Sequence, residues 1–166
     1  TVLPPATPGN LLATGGDAQV TVNWGTVVGA VGYNLKRAGL SGGAYATIAT
    51  AMAATNYVDA NVTNGVIYYY TVSAVNSAGE STNAPVVNAR PVSSAPTLLN
   101  LSANSGQLQF NWPPDHTGWR LQAQTNSAGD GLGTNWVTVP GSDGTNQMSM
   151  PVATTNSSVF YRLINQ

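Results

Sequence analysis

The sequence predicts an all-β protein made of two tandem β-sandwiches. Short segments in which apolar and polar residues alternate are separated by turns rich in Gly, Asn and Pro, which is typical of half-buried strands. Charged residues make up only 7% of the 166 residues, and Thr, Asn, Ser and Gly take their place. The apolar pattern of the first half returns in outline in the second half, which indicates an internal repeat.

In the first half, the alternation of Tyr68, Tyr70, Val72 and Ala74 is the longest strand signal. A turn is expected at residues 76–81, directly after this strand. Further strands are predicted at residues 20–24, 33–35, 45–49, 57–59 and 84–89. Strands of this length at this spacing predict a sandwich of two sheets.

Several of these features together resemble a fibronectin type III domain across about residues 5–92. They are Trp24, Tyr33, the Tyr57-Val58-Asp59 step, the strand from Tyr68 to Ala74 and the hairpin at residues 76–81. The resemblance implies that Trp24, Tyr33 and Tyr70 are core residues. It also implies that Tyr68 is a tyrosine corner, a buried ring whose hydroxyl bonds to nearby backbone. We expect a domain at residues 1–92, with a linker at 1–7.

The second half is predicted to be a shorter, divergent fibronectin or immunoglobulin-like β-sandwich at residues 97–166, after a linker at 93–96. Residues 108–112 match 20–24, 118–121 match 32–35, and 136–139 match 45–48. The last predicted strand lies at 159–163, so the copy lacks the final strand of the first module.

This half also resembles short C-terminal modules of exported bacterial proteins, often polysaccharide-degrading ones. The features that carry the resemblance are Asn111-Trp112-Pro113, residues 116–122, residues 132–136 and Phe160-Tyr161-Arg162-Leu163. The resemblance implies a secreted or cell-surface location and a catalytic domain upstream in the same polypeptide. The chain is therefore expected to be a piece of a larger exported protein.

Composition argues against several kinds of partner. The net charge is -1 with five cations, which leaves no basic patch for nucleic acid or for an anionic membrane surface. No apolar run reaches the roughly 18 residues of a membrane helix. The chain contains no Cys. We expect a monomer without a cofactor or metal.

The sequence does not predict an enzyme. Glycoside hydrolysis normally needs two carboxylates that flank the bond, and the chain has one Glu and five Asp. Asp17, Asp130 and Asp143 lie in Gly-flanked segments typical of turns, although calcium at Asp130 or Asp143 stays an alternative. His116 is the only histidine, next to Asp115, and is expected in an exposed loop that could contact a ligand.

A binding face follows from strand parity in the second half, because successive side chains of a strand alternate between faces. The inner face is expected to hold Trp119, Leu121, Ala123, Val137, Val139, Val159, Tyr161 and Leu163. The outer face is then expected to carry Trp136, Phe160, Arg120, Arg162, Gln122 and Gln124.

Aromatic surface beside Arg and Gln donors favours polysaccharide binding, since sugar rings stack on aromatic faces while their hydroxyls need directional partners. Trp119 and His116 are further candidates for the ligand site, although Trp112 and Trp119 correspond to core positions of the first half. The alternative is that Trp136 only covers the edge of a small sandwich, or packs against the first domain. Both modules would then be structural spacers or protein-attachment modules.

The missing final strand leaves open what covers the strand at 159–163, since an exposed edge presents unpaired backbone groups. Three candidates are the segment 97–101 folding back, the first domain, and an extended segment of another protein.

Overall fold

The computed structural model describes residues 2–127, 130–152 and 158–165, and over these residues the regular elements are β-strands and two short 3-10 helices. The predicted all-β fold is confirmed. The chain divides into two compact units, residues 1–91 and 92–166.

The first unit contains two antiparallel sheets. One sheet has the order β1-β2-β5; in the other, β4, β3 and β6 lie side by side and both β7 and β8 pair with the far edge of β6. The strands are β1 (Leu12–Gly16), β2 (Gln19–Asn23), β3 (Gly32–Ala38), β4 (Ala46–Met52), β5 (Asn56–Asp59), β6 (Tyr68–Asn76), β7 (Gly79–Glu80) and β8 (Val87–Ala89).

The core of the first unit lies between these sheets. Trp24, Tyr33 and Tyr70 are at most 5% exposed, which confirms the predicted core positions. The rings of Trp24 and Tyr33 meet edge to face with 5.7 Å between centroids, a favoured arrangement for aromatic pairs.

Tyr68 makes the backbone contact that defines a tyrosine corner. Its hydroxyl accepts a hydrogen bond from the backbone N–H of Thr63 at 3.0 Å. The ring is half-buried rather than buried, because it lies at the surface with the guanidinium of Arg37 5.2 Å from its centroid.

A buried carboxylate joins the two sheets of the first unit. Asp59 of β5 is 3% exposed and accepts hydrogen bonds from the Tyr70 hydroxyl at 3.0 Å and from Arg37 Nη1 at 2.7 Å. The backbone N–H of Asn61 donates to its other oxygen at 3.1 Å. Desolvation by burial, together with the Asp59 charge, raises the pKa of Tyr70, so this hydroxyl stays a donor.

The second unit also contains two antiparallel sheets, each of three described strands, with the orders β13-β10-β9 and β12-β11-β14. The strands are β9 (Asn100–Asn104), β10 (Gln107–Asn111), β11 (Arg120–Asn126), β12 (Val137–Thr138), β13 (Gln147–Pro151) and β14 (Ser158–Ile164). Phe110, Trp112 and Leu121 form its core, each at most 2% exposed. Tyr161 packs on Phe110 with 4.6 Å between ring centroids.

Both segments expected to be linkers are bonded to a unit. Asn76 Nδ2 donates to the carbonyl of Leu3 at 2.8 Å, and Pro8 is fully buried. Thr1 lies outside the described residues. Ser93 is 6% exposed and its carbonyl accepts from the indole N–H of Trp119 at 2.9 Å. These contacts place the segments 3–8 and 93–95 within the two sandwiches.

The segment 97–101 does not cover the edge of the last strand. Its last two residues begin β9, and β9 pairs with β10 in the opposite sheet. The prediction that this segment covers the edge was therefore wrong, because its last two residues pair with β10 in the other sheet of the sandwich.

We predict that Asp59→Ala destabilises the first unit by about 3 kcal/mol, because it removes the counter-ion of Arg37 and the acceptor of the Tyr70 hydroxyl. Tyr70→Phe, the matched control, removes one donor and keeps Asp59 bonded to Arg37, so a loss of about 1 kcal/mol is expected. Urea unfolding of both variants measures the difference. Equal losses would contradict a central role for the carboxylate.

Glu80 makes the stability of the first unit pH-dependent. Hydrogen bonds from Lys36 and Ser73 lower the pKa of Glu80 from 4.5 to about 2. Its stabilising contribution is therefore present above pH 4.5 and is lost as the pH falls toward 2. We predict that Glu80→Gln flattens the fall of the melting temperature between pH 5 and pH 2, as calorimetry would show; Asp130→Asn serves as the control. An unchanged slope would exclude this carboxylate as a source of acid sensitivity.

Candidate functional site

The candidate site is the outer face of the sheet β12-β11-β14 in the second unit. Gln122 of β11 lies directly between Thr138 of β12 and Arg162 of β14 in the register of the sheet. Residues directly opposite each other in antiparallel strands share a face, so these three side chains form one row across the sheet.

Hydrogen bonds fix this row. Arg162 Nε donates to Gln122 Oε1 at 2.9 Å, and Gln122 Nε2 donates to Thr138 Oγ1 at 3.3 Å. The Gln122 amide is thus held at both ends, which fixes its orientation. The Nη groups of Arg162 have no hydrogen-bond acceptor among the residues that the structure describes, and the side chain is exposed.

The ring of Trp136 lies against Arg162, the last residue of this row. Trp136 directly precedes β12, and its ring lies 4.2 Å from the guanidinium carbon of Arg162, a cation–π contact. The side chain is half-buried. The indole therefore belongs to the predicted face, but Arg162 lies against its ring.

Phe160 and Arg120 lie farther along the same face. Phe160 is opposite Gln124 and Arg120 is opposite Ile164 in the pairing of β11 with β14. Both side chains are half-buried. The aromatic and cationic groups predicted for this face are therefore all found on it.

Gln124 differs from the prediction of an outward, accessible side chain. It is 1% exposed, because the segment before Trp136 folds over it. Its amide donates to Asn135 Oδ1, and its Oε1 accepts from the backbone N–H of Gly133 at 3.1 Å. Gln124 therefore anchors the covering segment and is not available to a ligand.

Val137 was expected on the inner face but is 68% exposed. It is opposite Ala123, as parity requires, but β12 is a two-residue edge strand. Edge residues of so short a strand extend past the opposing sheet, which explains the exposure.

His116 and Trp119 are not part of the face. His116 was expected in an exposed loop but is 4% exposed; its Nε2 lies 2.8 Å from the carbonyl oxygen of Ala95 and its Nδ1 lies 2.7 Å from Asp115 Oδ1. Trp119 is 9% exposed, with its ring edge to face with His116 at 4.9 Å. The two rings hold the segment 93–95 against the sandwich.

Two residues that sequence reasoning missed support the face. Asn135 binds Gln124, as described above, and Ser142 Oγ accepts the backbone N–H of Leu121 at 3.1 Å. Ser142 is fully buried in a 3-10 turn that follows Gly141, whose φ of 77° is left-handed. The Gly-Ser-Asp-Gly turn signal was visible in the sequence, but its partner in β11 was not.

The electrostatics of the face are simple. Its charged groups are the guanidiniums of Arg120 and Arg162, and β11, β12 and β14 contain no Asp or Glu. The described part of the chain holds no group of three or more His, Asp or Glu side chains able to bind a metal ion. The face offers aromatic surface for stacking and hydrogen-bond donors.

Among the described residues, no helix is long and apolar enough to cross a membrane.

No family model matches the chain. Among curated proteins, it is 38% identical over 104 residues to an amylopullulanase of Thermoanaerobacterium thermosulfurigenes, a match to 60% of this chain and 6% of that protein. It is 39% identical over 82 residues to an amylopullulanase of Thermoanaerobacterium saccharolyticum, again over 6% of that protein. The chain thus spans a small fraction of the length of these relatives.

Among solved structures, a fibronectin type III-like protein from Clostridium thermocellum is 39% identical with a TM-score of 0.50. The match covers 52% of this chain and 93% of that protein. Over the half that this match covers, the chain belongs to the fibronectin type III-like family of β-sandwich domains.

Proposed function

We propose that the chain is a non-catalytic accessory region of an exported polysaccharide-active enzyme, and that the second unit binds polysaccharide through the outer face of β12-β11-β14. The observation that carries the proposal is the ordered row of Trp136, Arg162, Gln122 and Thr138, in which an aromatic ring, a guanidinium and an amide are already held in place.

The fixed side-chain positions in this row favour a sugar ligand. Binding a saccharide costs side-chain entropy wherever flexible donors must be fixed, and Arg162 and Gln122 are already fixed by each other and by Trp136. The Nη groups of Arg162 remain available to donate to sugar hydroxyls. The exposed parts of Trp136 and Phe160 offer apolar surface to the C–H groups of pyranose rings.

The neutrality of the surroundings also supports this class of ligand. Sugar hydroxyls are uncharged, so their recognition does not require many charged side chains. The chain as a whole carries only eleven Lys, Arg, Asp and Glu residues. The two cations of the face lie among amides and hydroxyls, without the basic cluster that a polyanion would need.

The relatives supply the enzyme context. They are amylopullulanases, and the matching region is a small part of each. We therefore propose that this chain, too, accompanies a catalytic domain of the same polypeptide outside the cell, with the first unit acting as spacer and brace. Starch and pullulan are the glycans that the name of the relatives suggests.

A catalytic role is not part of the proposal. The face has no carboxylate, and retaining or inverting hydrolysis normally requires two. Elsewhere, Asp59 is buried in its ion pair and Glu80 is bonded to Lys36 at 2.7 Å. The expected result is that the 166-residue chain releases no reducing sugar from starch or pullulan.

One observation favours the alternative of a structural spacer or a protein-attachment module. Trp136 is half-buried beneath Arg162, as a ring that merely covers a sheet would be. In that case the row would serve to hold β12 to the sheet.

Retention on insoluble glycans distinguishes the two. We predict that the wild-type chain is retained on at least one of starch, cross-linked pullulan, cellulose, xylan, mannan and chitin. We also predict that Trp136→Ala weakens its affinity at least about tenfold, by removing the stacking surface and the support of Arg162.

Gln109→Ala is the matched control, because Gln109 is an exposed amide on β10 of the opposite sheet. It should leave retention unchanged. Absence of wild-type retention on every glycan would support the spacer, and equal retention of Trp136→Ala and wild type would place the ligand elsewhere.

A further inference from the structure

Strand β14 forms one edge of its sheet. All seven of its residues pair with β11, and among the described residues no other strand lies beside it. An edge of this length presents unpaired backbone groups that proteins usually cover or protect.

The hydrogen bonds that β11 makes on the side away from β14 determine which backbone groups of β14 face the free edge. The Leu121 carbonyl accepts from the Val139 N–H at 2.8 Å, and the Leu121 N–H donates to Ser142 Oγ. Both groups of Leu121 thus point away from β14. In an antiparallel ladder its opposite residue, Leu163, then points its own N–H and C=O away from β11.

The same holds for every second residue of β14, so Tyr161 and Val159 also direct their backbone groups to the free edge. The edge therefore offers the N–H and C=O groups of three residues, alternating donor and acceptor, to an incoming strand.

In the first unit, the edge that corresponds to the free edge of β14 is paired with a further strand. Leu35 is opposite Val72 there as Leu121 is opposite Leu163 in the second unit, so β6 corresponds to β14. The carbonyl of Val72 accepts from the Ala84 N–H at 2.8 Å. Strand β8 then pairs with β6 antiparallel at residues 68–70. The second unit has the same edge without an equivalent of β8 among its described residues.

The edge also lacks most of the features that prevent association. The pairing of β11 with β14 runs without a bulge, and the sequence Ser-Val-Phe-Tyr-Arg-Leu-Ile contains no Pro and one charge. Short length, bulges, Pro and inward charges are the usual protections.

This sequence is complementary to itself in the antiparallel direction. With Tyr161 opposite its own copy, Val159 lies opposite Leu163 on the inner face, and Phe160 lies opposite Arg162 on the outer face. Apolar side chains then meet apolar ones, an aromatic ring meets a cation, and no two like charges are opposite each other.

We propose that a second copy of this chain occupies the edge, with β14 pairing antiparallel with β14 of the partner about a two-fold axis at Tyr161. The result is a dimer in place of the monomer expected from the sequence. The two sheets form one continuous six-stranded sheet whose outer face carries two Trp136–Arg162 pairs on the same side. The dimer does not depend on the proposed glycan ligand, but it presents that face twice to a repeating polymer.

Charge changes at position 160 test the register. We predict that the full 166-residue chain shows a concentration-dependent dimer in sedimentation velocity between about 1 and 300 µM. Phe160→Lys, which places a cation opposite Arg162 of the partner, should weaken the dimer at least tenfold. Phe160→Glu should strengthen it, because each Glu would be opposite a cation.

The double variant Phe160→Lys with Arg162→Glu should regain the dimer, because the cation at position 160 of each copy is then opposite the carboxylate at position 162 of the other. Circular dichroism spectra and melting temperatures identify any variant that fails to fold. Hydrogen exchange of the wild type is a second measurement, in which the amides of Val159, Tyr161 and Leu163 should gain protection as concentration rises.

A wild-type chain that stays monomeric at all concentrations would overturn the proposal. A weaker dimer for both Phe160→Lys and Phe160→Glu would also overturn the proposal. That result would show that loss of apolar surface, and not pairing in this register, determines the dissociation constant.

Discussion

The antiparallel pairing of β11 with β14 is the interaction on which the second unit depends. It places Leu121 and Tyr161 in the small core and, on the other face, aligns Gln122 with Arg162. A shift of one residue in this register would move every side chain of β14 to the opposite face. The core and the candidate site are therefore fixed by the same ladder of backbone hydrogen bonds.

The two units secure their sandwiches by different means. In the first, the buried carboxylate of Asp59 in one sheet binds Tyr70 and Arg37 of the other sheet, and the apolar core is larger. The second has a smaller core and uses neutral groups instead. The Ser142 hydroxyl accepts the Leu121 N–H of β11, and the Trp119 indole donates to the Ser93 carbonyl. This difference is consistent with the shorter second unit, in which less apolar surface is available to balance the desolvation of a charge.

Strand periodicity was enough to predict the all-β fold and the outer position of Arg162 and Gln122. The core positions of Trp24, Tyr33 and Tyr70 followed from the resemblance to fibronectin type III domains. Periodicity failed where a side chain's environment is set by a segment distant in sequence. Gln124 has the outward parity that was predicted, but residues 131–135 cover it. His116 was expected to be exposed because its loop is polar, but the backbone carbonyl of Ala95, twenty-one residues away, lies within hydrogen-bond distance of its ring. Val137 is exposed because it lies in a two-residue strand at the edge of its sheet.

The composition of the outer face has a consequence for the surroundings in which it can work. Its polar groups are a guanidinium, an amide and a hydroxyl, and none of these side-chain types gains or loses a proton over the range in which proteins stay folded. Carboxylates and imidazoles, whose charge follows the acidity of the medium, are absent from β11, β12 and β14. Acidification toward pH 2 would therefore protonate Glu80 of the first unit, whereas β11, β12 and β14 contain no carboxylate or imidazole to respond.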